Sequence, residues 1–121
     1  MPEQNYPEYR KQLRSLMGRL SRELPGPIGA FGQLHTQAMA DGALSTQTKE
    51  LIALGIAIAV RCEGCLAYHV YNCLEAGATR PEILETIGVA VAMGGGPSSV
   101  YGCEAFQALE QYTAMSENSG V

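Results

Sequence analysis

Tryptophan is absent from this chain, and there are only 2 phenylalanines and 6 tyrosines. Aromatic rings therefore cannot fill the interior, which must be built from Leu, Ile, Val, Ala and Met. Charge is also scarce, at 17% of residues against 46% hydrophobic, a balance that excludes a disordered chain. Basic excess is missing, with 8 Lys and Arg against 12 Asp and Glu and a net charge of -4. A phosphate backbone or an anionic membrane surface would find nothing to neutralise it, so neither nucleic acid nor membrane is an expected partner. The most apolar run, residues 51–60, is ten residues long, whereas a membrane-spanning helix needs roughly 20. Residues 1–14 are polar and mixed in charge, unlike a secretory signal, and the expected location is the cytoplasm. Alternating β-branched runs are lacking too, which removes strands.

What is present is helical. The 121 residues suit one domain. Tyr9, Leu13, Leu16, Met17, Leu20 and Leu24 recur at spacings of three and four and predict a first helix over residues 9–24. Pro25-Gly26-Pro27 interrupts the pattern, and a second helix is expected over residues 27–40, ended by Asp41-Gly42. Ser45 is an N-cap for a third helix over residues 46–60, greasy on most sides and therefore expected at the centre. A fourth helix over residues 62–76 is closed by Gly77. Thr79, Pro81 and Glu82 make a capping box for a fifth, which runs to Met93. After Gly94-Gly95-Gly96, a sixth helix spans residues 97–112, with residues 116–121 frayed. The expected fold class is all-α, a compact bundle of about six helices over residues 1–121 with no internal repeat.

Four cysteines carry the chemical information. Cys62-Glu63-Gly64-Cys65 is a CxxC pair, and in a cytosolic chain such a pair is more often redox-active or metal-binding than a structural staple. At about 100° per residue on a helix, Cys65, His69 and Cys73 stand at about 300°, 340° and 20° from Cys62, so all four share one stripe. Thiols in a helix's first turn meet unpaired N–H groups and the helix dipole, which favour thiolate. An imidazole one turn later can exchange a proton with Cys65. A zinc site begun by C-x2-C-x3-H and completed by Cys73, Cys103 or His35 is an alternative, although no second close ligand pair exists. Cys73 and Cys103 read as small core residues, and His35 as a packed or surface histidine. Glu50 reads as an early-helix acid favoured by the dipole. Folded back across the short turn around Arg61, it could hold the tautomer of His69. The glycine run is no phosphate loop, since no Lys-Ser/Thr follows it.

Lys49-Glu50-Leu51-Ile52-Ala53-Leu54, Cys62-Glu63-Gly64-Cys65 with His69, Gly77-Ala78-Thr79, and Met93-Gly94-Gly95-Gly96-Pro97 before Tyr101 together resemble the alkylhydroperoxidase D-like branch of the carboxymuconolactone decarboxylase superfamily. The resemblance covers about residues 34–109. It implies an all-helical fold, a homo-oligomer (a trimer, or a hexamer built as a trimer of dimers), and thiol-dependent reduction of hydroperoxides. It also implies that Cys65 is the peroxide-attacking thiolate, activated through His69 and Glu50, and that Cys62 resolves the sulfenic acid as a disulfide. A thiol or lipoyl-type reductant is the implied partner, and no haem, flavin or metal is required. Helix-dipole reasoning alone would nominate Cys62 as the nucleophile. Alkylhydroperoxidase D itself has a further histidine inside its CxxC, where this chain has Gly64. The decarboxylase branch typically lacks the cysteine pair, so Cys62 and Cys65 argue against a lyase, which stays beside a general protein disulfide reductase as an alternative.

Overall fold

The structure, a computed structural model, describes residues 3–118, with side chains as far as residue 116. Six α-helices account for nearly all of it: α1 Tyr6–Glu23, α2 Pro25–Met39, α3 Thr46–Ala59, α4 Glu63–Glu75, α5 Arg80–Gly94 and α6 Gly96–Asn118. Among the described residues there is no strand.

Prolines account for the early starts of α1 and α2. A proline in a first turn withholds an N–H that the helix leaves unbonded anyway. Helix α1 thus begins at Tyr6, three residues before the periodic pattern, with Pro7 in its first turn and the Asn5 side chain accepting the Glu8 N–H at 3.0 Å. Pro25 opens α2 directly, so Leu24 alone separates the two helices where a longer break was expected. Ser45 caps α3 by accepting the Thr48 N–H at 3.1 Å. The Thr79–Glu82 capping box forms as expected, with the Thr79 N–H bonded to Glu82 at 2.7 Å and the Glu82 N–H to Thr79 at 3.3 Å. At the other end of α4, Gly77 adopts φ 88°, while its N–H reaches Leu74 O and that of Ala78 reaches Cys73 O. That pair of bonds is the Schellman closure, which favours glycine at its left-handed position. Helix α6 runs past residue 112 as far as Asn118, so the expected fraying at 116–118 is replaced by helix, and residues 119–121 lie outside the described residues.

Helix α3 packs most extensively on α4 and α5, and α6 closes over α3, α4 and α5. The resulting core is centred on Leu54, Ile58, Leu66, Val70, Ile83 and Leu109, all fully buried. Methionine, expected there, contributes no buried residue among those described, and Met93 is 83% exposed. Alanine takes its place, because Ala57, Ala67, Ala90, Ala105 and Ala108 let the helices approach closely. Helix α1 is clamped across α4 and α6 by buried Tyr6, whose hydroxyl donates to Glu104 at 2.9 Å and whose N–H donates to Gln111 at 2.8 Å. The Arg10 guanidinium lies 3.6 Å from the centre of the Tyr71 ring. Helix α2 buries none of its residues. Helix α3 is central on one side only, since Ile52, Ile56 and Val60 on its other side are about half exposed or more.

Candidate active site

Helix α3 ends in the turn that builds the site. Arg61 takes the left-handed conformation, φ 61°, with its N–H bonded to Ile58 O at 3.2 Å, and the next N–H, of Cys62, bonded to Ala57 O at 3.1 Å. This repeats the Schellman closure seen at Gly77, with arginine where glycine is favoured. The reversal lays α4 back along α3 and so brings Glu50, near the start of α3, against His69.

Cys62 stands outside the helix as the N-cap of α4, with extended backbone, instead of sharing the first turn with Cys65. The reason is local: the Cys62 sulfur accepts the Cys65 N–H at 3.1 Å, as an N-cap oxygen would. The two sulfurs are joined in a disulfide across a Cα–Cα distance of 5.2 Å. Both cysteines are half-buried.

His69, one turn beyond Cys65, has its Nδ1 at 2.8 Å from Glu50 Oε1. Glu50 is 5% exposed, so this contact is made almost out of water. With Glu50 ionised, Nδ1 carries the donated proton and Nε2 keeps its lone pair, the tautomer a general base for a thiol needs. Cys73, on the same stripe, is fully buried, and burial first and the Glu50 carboxylate second push its thiol up to about 12. It stays a neutral core residue as expected. Cys103 does not: it is exposed on the outer face of α6, whose inner face is set by Ala105, Ala108 and Leu109. Among the described residues no group of three or more His, Cys, Asp or Glu is arranged to hold a metal ion.

Three side chains come to the site from α1 and α2. His35 of α2, exposed, has its ring centre 6.0 Å from that of His69, the planes tilted by 39°. Tyr9 and Leu13 of α1 cover the middle of the CxxC turn. A Cβ on Gly64 would lie 3.0 Å from Leu13 Cδ1 and 3.7 Å from the Tyr9 hydroxyl. A side chain at this position would press on the tip of Leu13, which would have to shift by a few tenths of an ångström, so glycine lets α1 lie close over the motif. No signal in the spacing marks these contacts, because they depend on how α1 and α2 cross the other helices. Tyr68 sits beneath Arg10, whose guanidinium is 5.9 Å from its ring centre, and Phe31 is 60% exposed.

Known proteins share this arrangement of helices. An uncharacterised protein of Cupriavidus necator is 32% identical over 104 residues, covering 86% of this chain and 89% of its own. The crystal structure of an apo carboxymuconolactone decarboxylase family protein from Legionella pneumophila superposes with a TM-score of 0.85 at 40% identity, covering 88% of this chain and 96% of that one. A second family structure, from Thermotoga maritima and named for a possible involvement in the antioxidative response, has a TM-score of 0.71 at 31% identity over 74% of this chain and 93% of its own. The carboxymuconolactone decarboxylase family profile matches residues 28–108, which include every residue of the Glu50–Cys62–Cys65–His69 constellation. On sequence and fold together, the chain belongs to the carboxymuconolactone decarboxylase family.

Proposed function

We propose that this protein is a thiol-dependent peroxidase of the alkylhydroperoxidase D-like kind, reducing hydroperoxides through Cys62 and Cys65. The observation that carries the reading is the cysteine pair at the start of α4 with His69 one turn on, held by a carboxylate 2.8 Å away. The antioxidative description of the Thermotoga maritima relative agrees with it.

In the reduced protein, His69 Nε2 takes the Cys65 proton, and the imidazolium is stabilised by Glu50. The Cys65 thiolate attacks the terminal oxygen of the hydroperoxide. An S–O bond forms, the O–O bond breaks, and the alkoxide leaves as the alcohol after gaining a proton. Cys62 then attacks the Cys65 sulfenic acid, forming the disulfide and releasing water. A thiol or lipoyl-type reductant resets the pair by attacking Cys65. Cys62 departs as a thiolate already facing the Cys65 N–H, and a stabilised leaving thiolate speeds that exchange. This gives the backbone donor at Cys62 a role that leaves Cys65 as the attacking residue.

A peroxide-consumption assay with several hydroperoxides and thiol donors tests the assignment. Cys65→Ser abolishes turnover and leaves the fold intact; unchanged turnover would overturn it. Turnover of a carboxylated lactone without reductant, surviving removal of both cysteines, would establish the lyase instead. Equal rates on a model protein disulfide would mark a general disulfide reductase.

The reading includes self-association in a reducing cytoplasm. Phe31 and Leu34 of α2 are 60% and 65% exposed, and Ile52, Ile56, Val89 and Met93 line an apolar groove between α3 and α5. Apolar area on this scale is what a protein–protein contact covers. Sizing at micromolar concentration is expected to give a trimer or hexamer, and a 12.9 kDa monomer would refute it.

A further inference from the structure

We infer that His35 is the general acid of this site, the group that protonates the alkoxide leaving a hydroperoxide. The inference rests on the peroxidase reading above and adds a residue to it.

Its starting point is the place at which a proton must be delivered. Attack by the Cys65 thiolate expels an alkoxide, a far stronger base than thiolate or imidazole, and its departure is slow unless a proton is delivered as the O–O bond breaks. His69 is poorly placed to deliver that proton alone. Its Nδ1 is taken up by a buried carboxylate at 2.8 Å, so the one nitrogen left serves Cys65, while in-line attack places the leaving oxygen on the far side of the oxygen attacked. A second proton donor with no carboxylate partner would divide the labour, one imidazole serving as base and the other as acid.

His35 is such a group. Its ring centre stands 6.0 Å from that of His69, close enough for an oxygen of the substrate or one water to bridge the two rings. No carboxylate lies within ion-pair distance of it among the described residues, and it is open to solvent, from which it can be reprotonated. Helix α1 covers the Gly64 side of the CxxC turn through Leu13 and Tyr9, and α3 backs His69 through Glu50. Helix α2 therefore supplies the remaining wall, and His35 is what it places beside the base.

The step balances. The Cys65 proton passes to His69, the proton on His35 passes to the leaving oxygen, and His69 returns its proton to His35 directly or through water. The net change is one thiol and one hydroperoxide converted to a sulfenic acid and an alcohol.

The test compares leaving groups. Reduced wild-type protein and the His35→Ala and His35→Gln variants are mixed in single turnover with tert-butyl hydroperoxide, whose leaving group is a strongly basic alkoxide, and with peracetic acid, whose leaving acetate needs no proton. The rate of loss of titratable thiol is followed. Both variants should react about 100-fold more slowly than wild type with the alkyl hydroperoxide and at the wild-type rate with the peracid. A structural role for His35 would slow both oxidants alike, and that result, or no slowing with either, overturns the inference while leaving the peroxidase reading standing. Failure of wild-type protein to react with either oxidant would overturn the peroxidase reading, and the inference with it.

Discussion

At the residue scale, the site depends on how differently burial treats four neighbouring groups. Glu50 is nearly sealed from water but has His69 Nδ1 at 2.8 Å, so its carboxylate is hydrogen-bonded. Cys73 is sealed beside the same carboxylate without a cationic partner, and both influences keep its thiol protonated, which removes it from the chemistry. Cys65 is half-exposed and has the imidazole of its own helix one turn away. Cys62 has a backbone donor. If Glu50 acts by holding the His69 tautomer, Glu50→Gln should lower peroxide turnover by about 100-fold and slow alkylation of reduced Cys65 near neutral pH. Alkylation at the wild-type rate would mean that the carboxylate is only structural. The stripe of Cys65, His69 and Cys73 was legible in the sequence because all three lie on one helix, where spacing fixes direction. His35 was not, since its approach to His69 depends on the crossing of α2 with the rest of the molecule. Cys103 was misread as core because a small apolar residue in a largely apolar helix does not say which face it occupies.

At the element scale, the two ends that matter most are the closures of α3 and α4. Both use the same pair of backbone bonds, with Arg61 at φ 61° in one and Gly77 at φ 88° in the other. Gly77 was legible as a helix stop. The turn around Arg61 was legible only as a short connection, because nothing in an arginine announces left-handed backbone. Left-handed conformation costs a non-glycine residue roughly 1–2 kcal/mol, while glycine gives up about 0.5–1 kcal/mol through its freer unfolded chain. Arg61→Gly is therefore expected to raise the urea midpoint slightly, by about 0.5 kcal/mol in stability. A lowered midpoint would show that the arginine side chain contributes contacts that outweigh its backbone. The caps at Ser45 and Thr79 were also readable, since each acts on N–H groups within three residues. Helix starts at Pro7 and Pro25 were less so, because proline marks a helix beginning as readily as a break.

At the scale of the whole molecule, the helices surround a small alanine-rich core and leave apolar surface on α2 and between α3 and α5, which is why the chain is expected to be completed by copies of itself. The core also contains buried acids that are neutral when folded. Burial pushes the Tyr112 hydroxyl from 10.0 to about 12 and the Cys73 thiol from 9.0 to about 12. Burial together with the hydrogen bond to Glu104 raises the Tyr6 hydroxyl as well. These groups hold their protons in the fold at pH values where the unfolded chain releases them. Their contribution to stability is whole below pH 9.0 and is lost as the pH climbs towards about 12. The midpoint of thermal unfolding should accordingly fall across that range, and a midpoint that holds steady there would contradict the burial of these three side chains. The central claim is that Cys65 is the residue oxidised by peroxide and Cys62 the one that resolves it. The most direct measurement treats reduced Cys62→Ser protein with hydroperoxide in the presence of dimedone and locates the adduct by tandem mass spectrometry. A single adduct on Cys65 is predicted. No adduct there, with one on Cys62 in the matching Cys65→Ser protein, would reverse the two roles.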